Sequence, residues 1–184
     1  ILAAAKRAGV EHVVLMSILQ CHTEAFDAMR QFRGLEKALA GLGDGTKWTS
    51  LRLGSFAQNF LASAQEIAEK GELTGALGSG RVAYVDVDDV GAAFATVLRE
   101  GPALHHEKVY ELTGPESLSM SECAAVLSEV LGKPVKYVDM TPQELGAKLV
   151  ESGRVPEWFV RDVLLDYNSA FRAGKGDLVS PDLA

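Results

Sequence analysis

Short apolar runs of strand length alternate with helix-length amphipathic stretches along this 184-residue chain. That alternation predicts an α/β fold with a parallel sheet. The run from His12 to Met16, HVVLM, is almost continuously apolar and reads as a parallel strand buried on both faces. Ahead of it, Leu2 to Ala8 reads as the tail of a helix closed by Gly9. A helical segment follows from about Thr23 to Leu42, and the glycine-rich stretch from Gly41 to Gly45 ends it. Trp48 to Leu53 is the next strand, and Phe56 to Glu69 the next helix, closed by Gly71.

Glu72 to Val85 mixes strand-like pieces with Gly75-Ala-Leu-Gly78-Ser-Gly80, which predicts a hairpin or a pair of short strands. Asp86 to Arg99 reads as a helix with aspartates at its positive end. Lys108 to Leu112 is a strand. Ser119 and Glu122 then form a capping box opening a helix that stops at Gly132. Val135 to Val138 is a further strand. Thr141 and Glu144 make a second box, with Pro142 at the first helical position. Pro156 to about Arg172 reads as a final helix rich in aromatic residues, and Ala173 to Ala184 has little periodicity.

A hydrophobic content of 47% is enough for a real core. The net charge of −7 argues against a nucleic-acid-binding surface, which needs clustered Lys and Arg. No apolar run approaches the ~20 residues of a membrane span. Ile1 to Gly9 is too short for a signal peptide, and its basic residues follow the apolar ones. The chain opens with Ile inside a helix-like pattern, which looks like a piece of something longer. Cys21 and Cys123 lack CxxC spacing and read as reduced thiols of a cytoplasmic protein.

Several residue groups could carry chemistry. The glycines at 75, 78 and 80 tempt a phosphate-loop reading, but a dinucleotide fingerprint needs a helix directly after it and here RVAYVDV follows. A hairpin turn is the preferred reading. Asp86, Asp88 and Asp89 read as helix caps and not as metal ligands. His105 and His106 are adjacent in a polar loop, which makes a poor chelate, and no metal site is expected. His22 reads as a solvated loop histidine.

The segment Thr46 to Phe60, TKWTSLRLGSFAQNF, runs from a strand through a small-residue loop into a helix. In an open α/β sheet that is where a ligand is held. Together with GVEHVVLMS, RVAYVDVDDV and KVYELTGPESLSMSE, it resembles the C-terminal portion of the NmrA-like branch of the extended, atypical short-chain dehydrogenases/reductases. The resemblance covers about Leu2 to Trp158 and departs from the family pattern at Leu53, where Pro is usual. It implies the C-terminal part of a Rossmann-type parallel sheet with a small α/β substrate-side subdomain. Residues 1–107 would be the C-terminal half of the NAD(P)-binding domain, 108–172 the substrate side, and 173–184 a loose tail.

What the resemblance implies about function is an NAD(P)H-dependent oxidoreductase, with NADPH slightly preferred and a quinone or similar small-molecule electron acceptor. Met16, Ser17, Phe32, Gly54, Ser55 and Phe56 would line the cofactor. Asn59, Phe60 and Trp158 would line a substrate lying between the loop at 54–60 and the C-terminal helices. Ala28 and Phe32 fall where a catalytic Tyr and Lys would stand, so no catalytic residue is assigned. An electron-poor acceptor does not strictly require a protein acid. The alternative is a non-catalytic NAD(P)-sensing regulator. The 184 residues alone, without a phosphate loop, are expected to bind the dinucleotide weakly and to be inactive.

Overall fold

A computed structural model describes residues 1–43, 45–153 and 155–183, so Asp44 of the glycine-rich stretch lies outside the described residues. In chain order the elements are α1 (Leu2–Arg7), β1 (His12–Ile18), α2 (Asp27–Ala40), β2 (Lys47–Leu53), α3 (Ala64–Lys70), β3 (Glu72–Gly75), β4 (Arg81–Val82) and α4 (Val87–Glu100). Then come α5 (Pro102–His105), β5 (Lys108–Leu112), β6 (Leu118–Ser119), α6 (Met120–Leu131), β7 (Lys136–Asp139), α7 (Pro142–Glu151), α8 (Glu157–Phe159) and α9 (Leu165–Arg172). They fall into two compact units that interleave along the chain. The first contains Ile1–Gly54, Val85–Gly114 and the residues from 180 onward; the second contains Ser55–Tyr84 and Pro115–Val179.

The first unit is built on a three-stranded parallel sheet in the order β1-β2-β5, an α/β arrangement with α2 and α4 packed against β1. His12 to Ile18 pair one-to-one with Lys47 to Leu53, and Thr49 to Leu53 with Lys108 to Leu112. Burial does not follow apolarity here. Thr49, Ser50 and Arg52 of β2 are buried, whereas Val13, Val14 and Leu15 of β1 are half-buried and Met16 is 55% exposed. The strand expected to be buried on both faces has only β2 as a partner among the described residues, so one edge carries no neighbour. The aspartates do cap a helix: Asp86 accepts from the Asp88 N–H at 2.7 Å, at the start of α4. Residues near the end of the chain are bonded to β5 and its exit. The Ser180 N–H donates to Thr113 Oγ1 at 2.9 Å, and Asp182 Oδ2 accepts from the Glu111 N–H at 2.8 Å.

The second unit has two small sheets, β3 with β7 parallel and β4 with β6 antiparallel. Of the hairpin or pair of short strands expected over Glu72–Val85, the pair forms as β3 and β4, which do not bond to each other, so the hairpin turn preferred at 75–80 is not made. Ala76 and Leu77, in the connection itself, are buried, and Leu77 joins a core with Leu73, Val82, Cys123, Val135 and Phe171. A connection anchored by its own apolar side chains cannot turn over in solvent, so each strand finds a different partner. Both capping boxes form. The Ser119 hydroxyl accepts from Glu122 N–H while the Glu122 carboxylate accepts from Ser119 N–H, and Thr141 and Glu144 repeat the pattern.

The helix expected over Phe56–Glu69 is a 3-10 stretch, Ala57–Ser63, leading into α3. No side chain caps its start, and the Asn59 N–H donates to the Phe56 carbonyl at 3.1 Å, a three-residue spacing. The final helix expected over Pro156–Arg172 is interrupted by a π turn, Val160–Leu164. There, Val160 and Leu165 close over Gly146 of α7, where a Cβ would lie 2.9 Å from Val160 Cγ1.

Candidate functional site

The three strands of the first unit end together. The Leu19 N–H donates to the Leu53 carbonyl and the Gly54 N–H to the Leu112 carbonyl, both at 2.9 Å, just beyond the last paired residues of β1, β2 and β5. Carboxyl ends in register are where parallel sheets hold ligands. Met16, Ser17 and Gly54 sit at or beside these ends. Ser17 is 1% exposed, and its hydroxyl lies 3.6 Å from Cys21 Sγ. Phe32 is half-buried on α2.

Behind the strand ends lies a buried ionic network that the sequence reading did not single out. Glu36, on α2 and 5% exposed, accepts from Ser50 Oγ (2.9 Å), from Arg52 Nε (2.9 Å) and Nη2 (2.8 Å), and from Arg33 Nη1 (3.2 Å). Arg52 Nη1 donates in turn to Glu111 Oε1 and to His22 Nδ1, each at 3.2 Å. His22 is thus bonded, beyond the solvated role expected of it. Burial alone would raise the Glu36 carboxyl, but the bonds from Arg52 and Ser50 outweigh it and hold the group at about 2. The signal was present in the spacing: Ser50 and Arg52 are two apart on one strand and so share a face, with Glu36 on the preceding helix.

This network has a consequence in acid. A carboxyl held at about 2 when folded, against 4.5 ordinarily, contributes stability that is complete above about pH 4.5 and disappears as pH falls through about 2. Urea unfolding followed between pH 5 and 2 is expected to show this loss, and Glu36→Gln to flatten it. An unchanged acid profile in that variant would contradict the assignment.

The second unit opens at Ser55. Its hydroxyl shares a hydrogen bond with Tyr167 Oη. The Tyr167 ring stacks on Phe171, with centroids 4.1 Å apart and planes 24° apart. Burial pushes the Tyr167 phenol up, against a smaller lowering by Ser55, so it stays protonated. Phe56 is half-buried, Asn59 is exposed, and Phe60 packs on the core with its ring 4.9 Å from Tyr84. Trp158 is 57% exposed, edge-on to Phe159. Within this unit the structure joins Ser55 to Tyr167 and Phe60 to Tyr84. Tyr167 was read only as part of an aromatic helix, because no spacing rule links a residue to one 112 positions away.

The glycine stretch 75–80 already holds an anion of its own. The Gly78 N–H donates to Asp139 Oδ1 at 3.0 Å, and Arg172 forks the same carboxylate at 2.9 and 2.7 Å. A backbone donor committed to Asp139 is not offered to a phosphate. His105 and His106 lie at the amino end of the sheet, bonded to Tyr110 and Glu100 and to the Trp48 N–H respectively. Among the described residues no group of three or more His, Cys, Asp or Glu is placed to hold a metal ion. Nor is any described helix long and apolar enough to cross a membrane.

A sequence model of the NmrA-like family matches residues 1–164. The chain is 35% identical over 157 residues to the NAD(P)H azoreductase of Xenophilus azovorans, covering 85% of this chain and 54% of that protein. It is 35% identical over 178 residues to quinone oxidoreductase 2 of Escherichia coli, covering 97% of this chain and 59% of that protein. The crystal structure of the NADPH-dependent quinone oxidoreductase of E. coli complexed with NADPH superimposes with a TM-score of 0.86 at 33% identity, over 99% of this chain and 62% of the other. The chain thus spans little more than half the length of these relatives.

Proposed function

We propose, since the chain belongs to the NmrA-like family, that it forms part of an NAD(P)H-dependent oxidoreductase that reduces a small electron-poor acceptor of the quinone type. The observation that carries this reading is the register of the three strand ends at Leu19, Gly54 and Leu112, which leaves a side-chain-free backbone at Gly54. Glycine lets a planar ring approach the main chain closely. The donor chemistry fits the uncharged nicotinamide end of a dinucleotide. Residues 16–18 and 54–56 contain no Lys or Arg, and the Gly78 N–H is taken by Asp139, so none of these stretches offers a pyrophosphate cradle.

NAD(P)H, when bound, supplies a hydride. Met16, Ser17 and Gly54 would then shape the cofactor side, with Phe32 on the neighbouring helix. Ser55 and Phe56, expected beside the cofactor, would stand where the cofactor meets the acceptor, and Asn59, Phe60 and Trp158 would shape the acceptor side. The kinship with an azoreductase and a quinone oxidoreductase supports acceptors of this electron-poor kind. Reduced thiols at the buried Cys21 and Cys123 suit a cytoplasmic setting.

Titrating NADPH into protein made from the whole reading frame, with cofactor fluorescence as the readout, should give binding in the micromolar range. Residues 1–184 alone should bind far more weakly. Turnover of NADPH with a panel of quinones is the expected result. Tight binding with no turnover of any acceptor would replace this reading with that of a cofactor-sensing regulator.

A further inference from the structure

We infer that the Ser55 hydroxyl, held by Tyr167, is the hydrogen-bond and proton donor to the oxygen of the bound acceptor. This rests on the oxidoreductase reading and supplies the acid that the sequence pattern lacks at positions 28 and 32.

Two hydroxyls carry two protons, and the bond between Ser55 and Tyr167 uses one of them. The other is available to a third group. A phenol is intrinsically more acidic than an aliphatic hydroxyl, so Tyr167 is assigned as the donor to Ser55 Oγ and the serine proton points onward. Ser55 is the residue directly after Gly54, at the carboxyl end of the central strand β2, and it is only half-buried.

The geometry is rigid. Tyr167 lies flat on Phe171, and Phe171 is itself buried and flanked by Gly176, where any Cβ would collide with its ring. A donor fixed before the substrate arrives does not have to be reorganised as charge develops. Tyr84 and Tyr137, packed on the same core, are not competitors, because their hydroxyls donate to Met120 Sδ at 3.4 Å and to Asp139 Oδ1 at 2.7 Å.

The chemistry balances. The quinone is reduced by two electrons as the nicotinamide is oxidised, and a carbonyl oxygen gains negative charge. The Ser55 O–H bond breaks as the new O–H bond forms on that oxygen. Water then reprotonates the half-buried Ser55 hydroxyl, while the Tyr167 phenol keeps its own proton, which burial favours, and holds Ser55 Oγ.

The test compares two acceptors with different proton demand, using protein from the whole reading frame. A quinone takes a hydride and a proton, whereas a cationic triarylmethane dye takes a hydride alone and becomes neutral. Ser55→Ala is expected to lower kcat for the quinone by about a hundredfold, and Tyr167→Phe by about tenfold, with a much smaller loss for the dye in both. Ser55→Thr, which keeps a hydroxyl, should restore most of the quinone rate.

A second readout needs no turnover. The carbonyl stretch of a bound, isotope-labelled quinone should shift down in the wild type and return towards its free value in Ser55→Ala. Equal losses with both acceptors, or no loss, would overturn the inference, as would a carbonyl band insensitive to Ser55. If wild-type protein turns over neither acceptor, the oxidoreductase reading fails, and the carbonyl band alone decides whether Ser55 donates.

Discussion

Glu36→Ala is expected to destabilise the protein by about 3 kcal/mol, near the lower end of the range for breaking a buried ion pair. Glu36 is 5% exposed and Arg52 9% exposed. Removing the carboxylate strips acceptors from Arg52 Nε and Nη2 and from Ser50 Oγ in one step. The cost is moderated because Arg52 Nη1 keeps Glu111, which is itself partly exposed. The uncompensated guanidinium, more than the lost attraction, makes the variant unstable. Replacing both partners, as in Glu36→Leu with Arg52→Met, should therefore recover most of the loss. Urea denaturation of the single and double variants measures this. A single variant within about 1 kcal/mol of wild type would mean that water replaces the carboxylate and that the network is not closed to solvent.

Gly71→Ala should be nearly as damaging, for a different reason. Gly71 ends α3 with φ at +68°, and a Cβ there would sit 2.8 Å from the Pro134 carbonyl oxygen. The left-handed backbone costs a side chain about 1–2 kcal/mol. Forcing apart two backbone segments adds a further ~1–3 kcal/mol. The neighbouring Lys136 N–H to Gly71 carbonyl bond, 2.8 Å long, holds β7 beside this point and blocks easy relaxation. Gly132 is the internal control. It caps α6 with φ at +63° but has nothing within 4 Å of its would-be Cβ. Gly132→Ala should show the conformational cost alone, and the difference between the two melting shifts isolates the contact. Equal shifts would remove Pro134 from the explanation.

Much of the local structure was legible because it depends on neighbours in sequence. The capping boxes at Ser119 and Thr141, the Asp86 cap and the strands at 12–18, 47–53 and 108–112 all follow from side chains within a few positions of one another. The two short strands within 72–85 were legible but their partners were not, because Ala76 and Leu77 look like loop residues until a core exists to bury them. Apolarity likewise overstated the burial of β1, whose Val13, Val14 and Leu15 are half-buried. The more polar β2 is the central one, since Glu36 satisfies Ser50 and Arg52 from above.

The sequence by itself determined the family, the α/β class, the strands of the first unit and the loop that follows Leu53. Each rests on periodicity or on a contiguous motif. Only the tertiary structure decided that the chain leaves one unit at Ser55, returns at Val85 and leaves again at Pro115. It also decided that Ser55 meets Tyr167 and that Glu36 meets Arg52. Such pairs lie 16 to 112 positions apart, and their partners are set by side-chain packing and charge satisfaction, which no local pattern encodes.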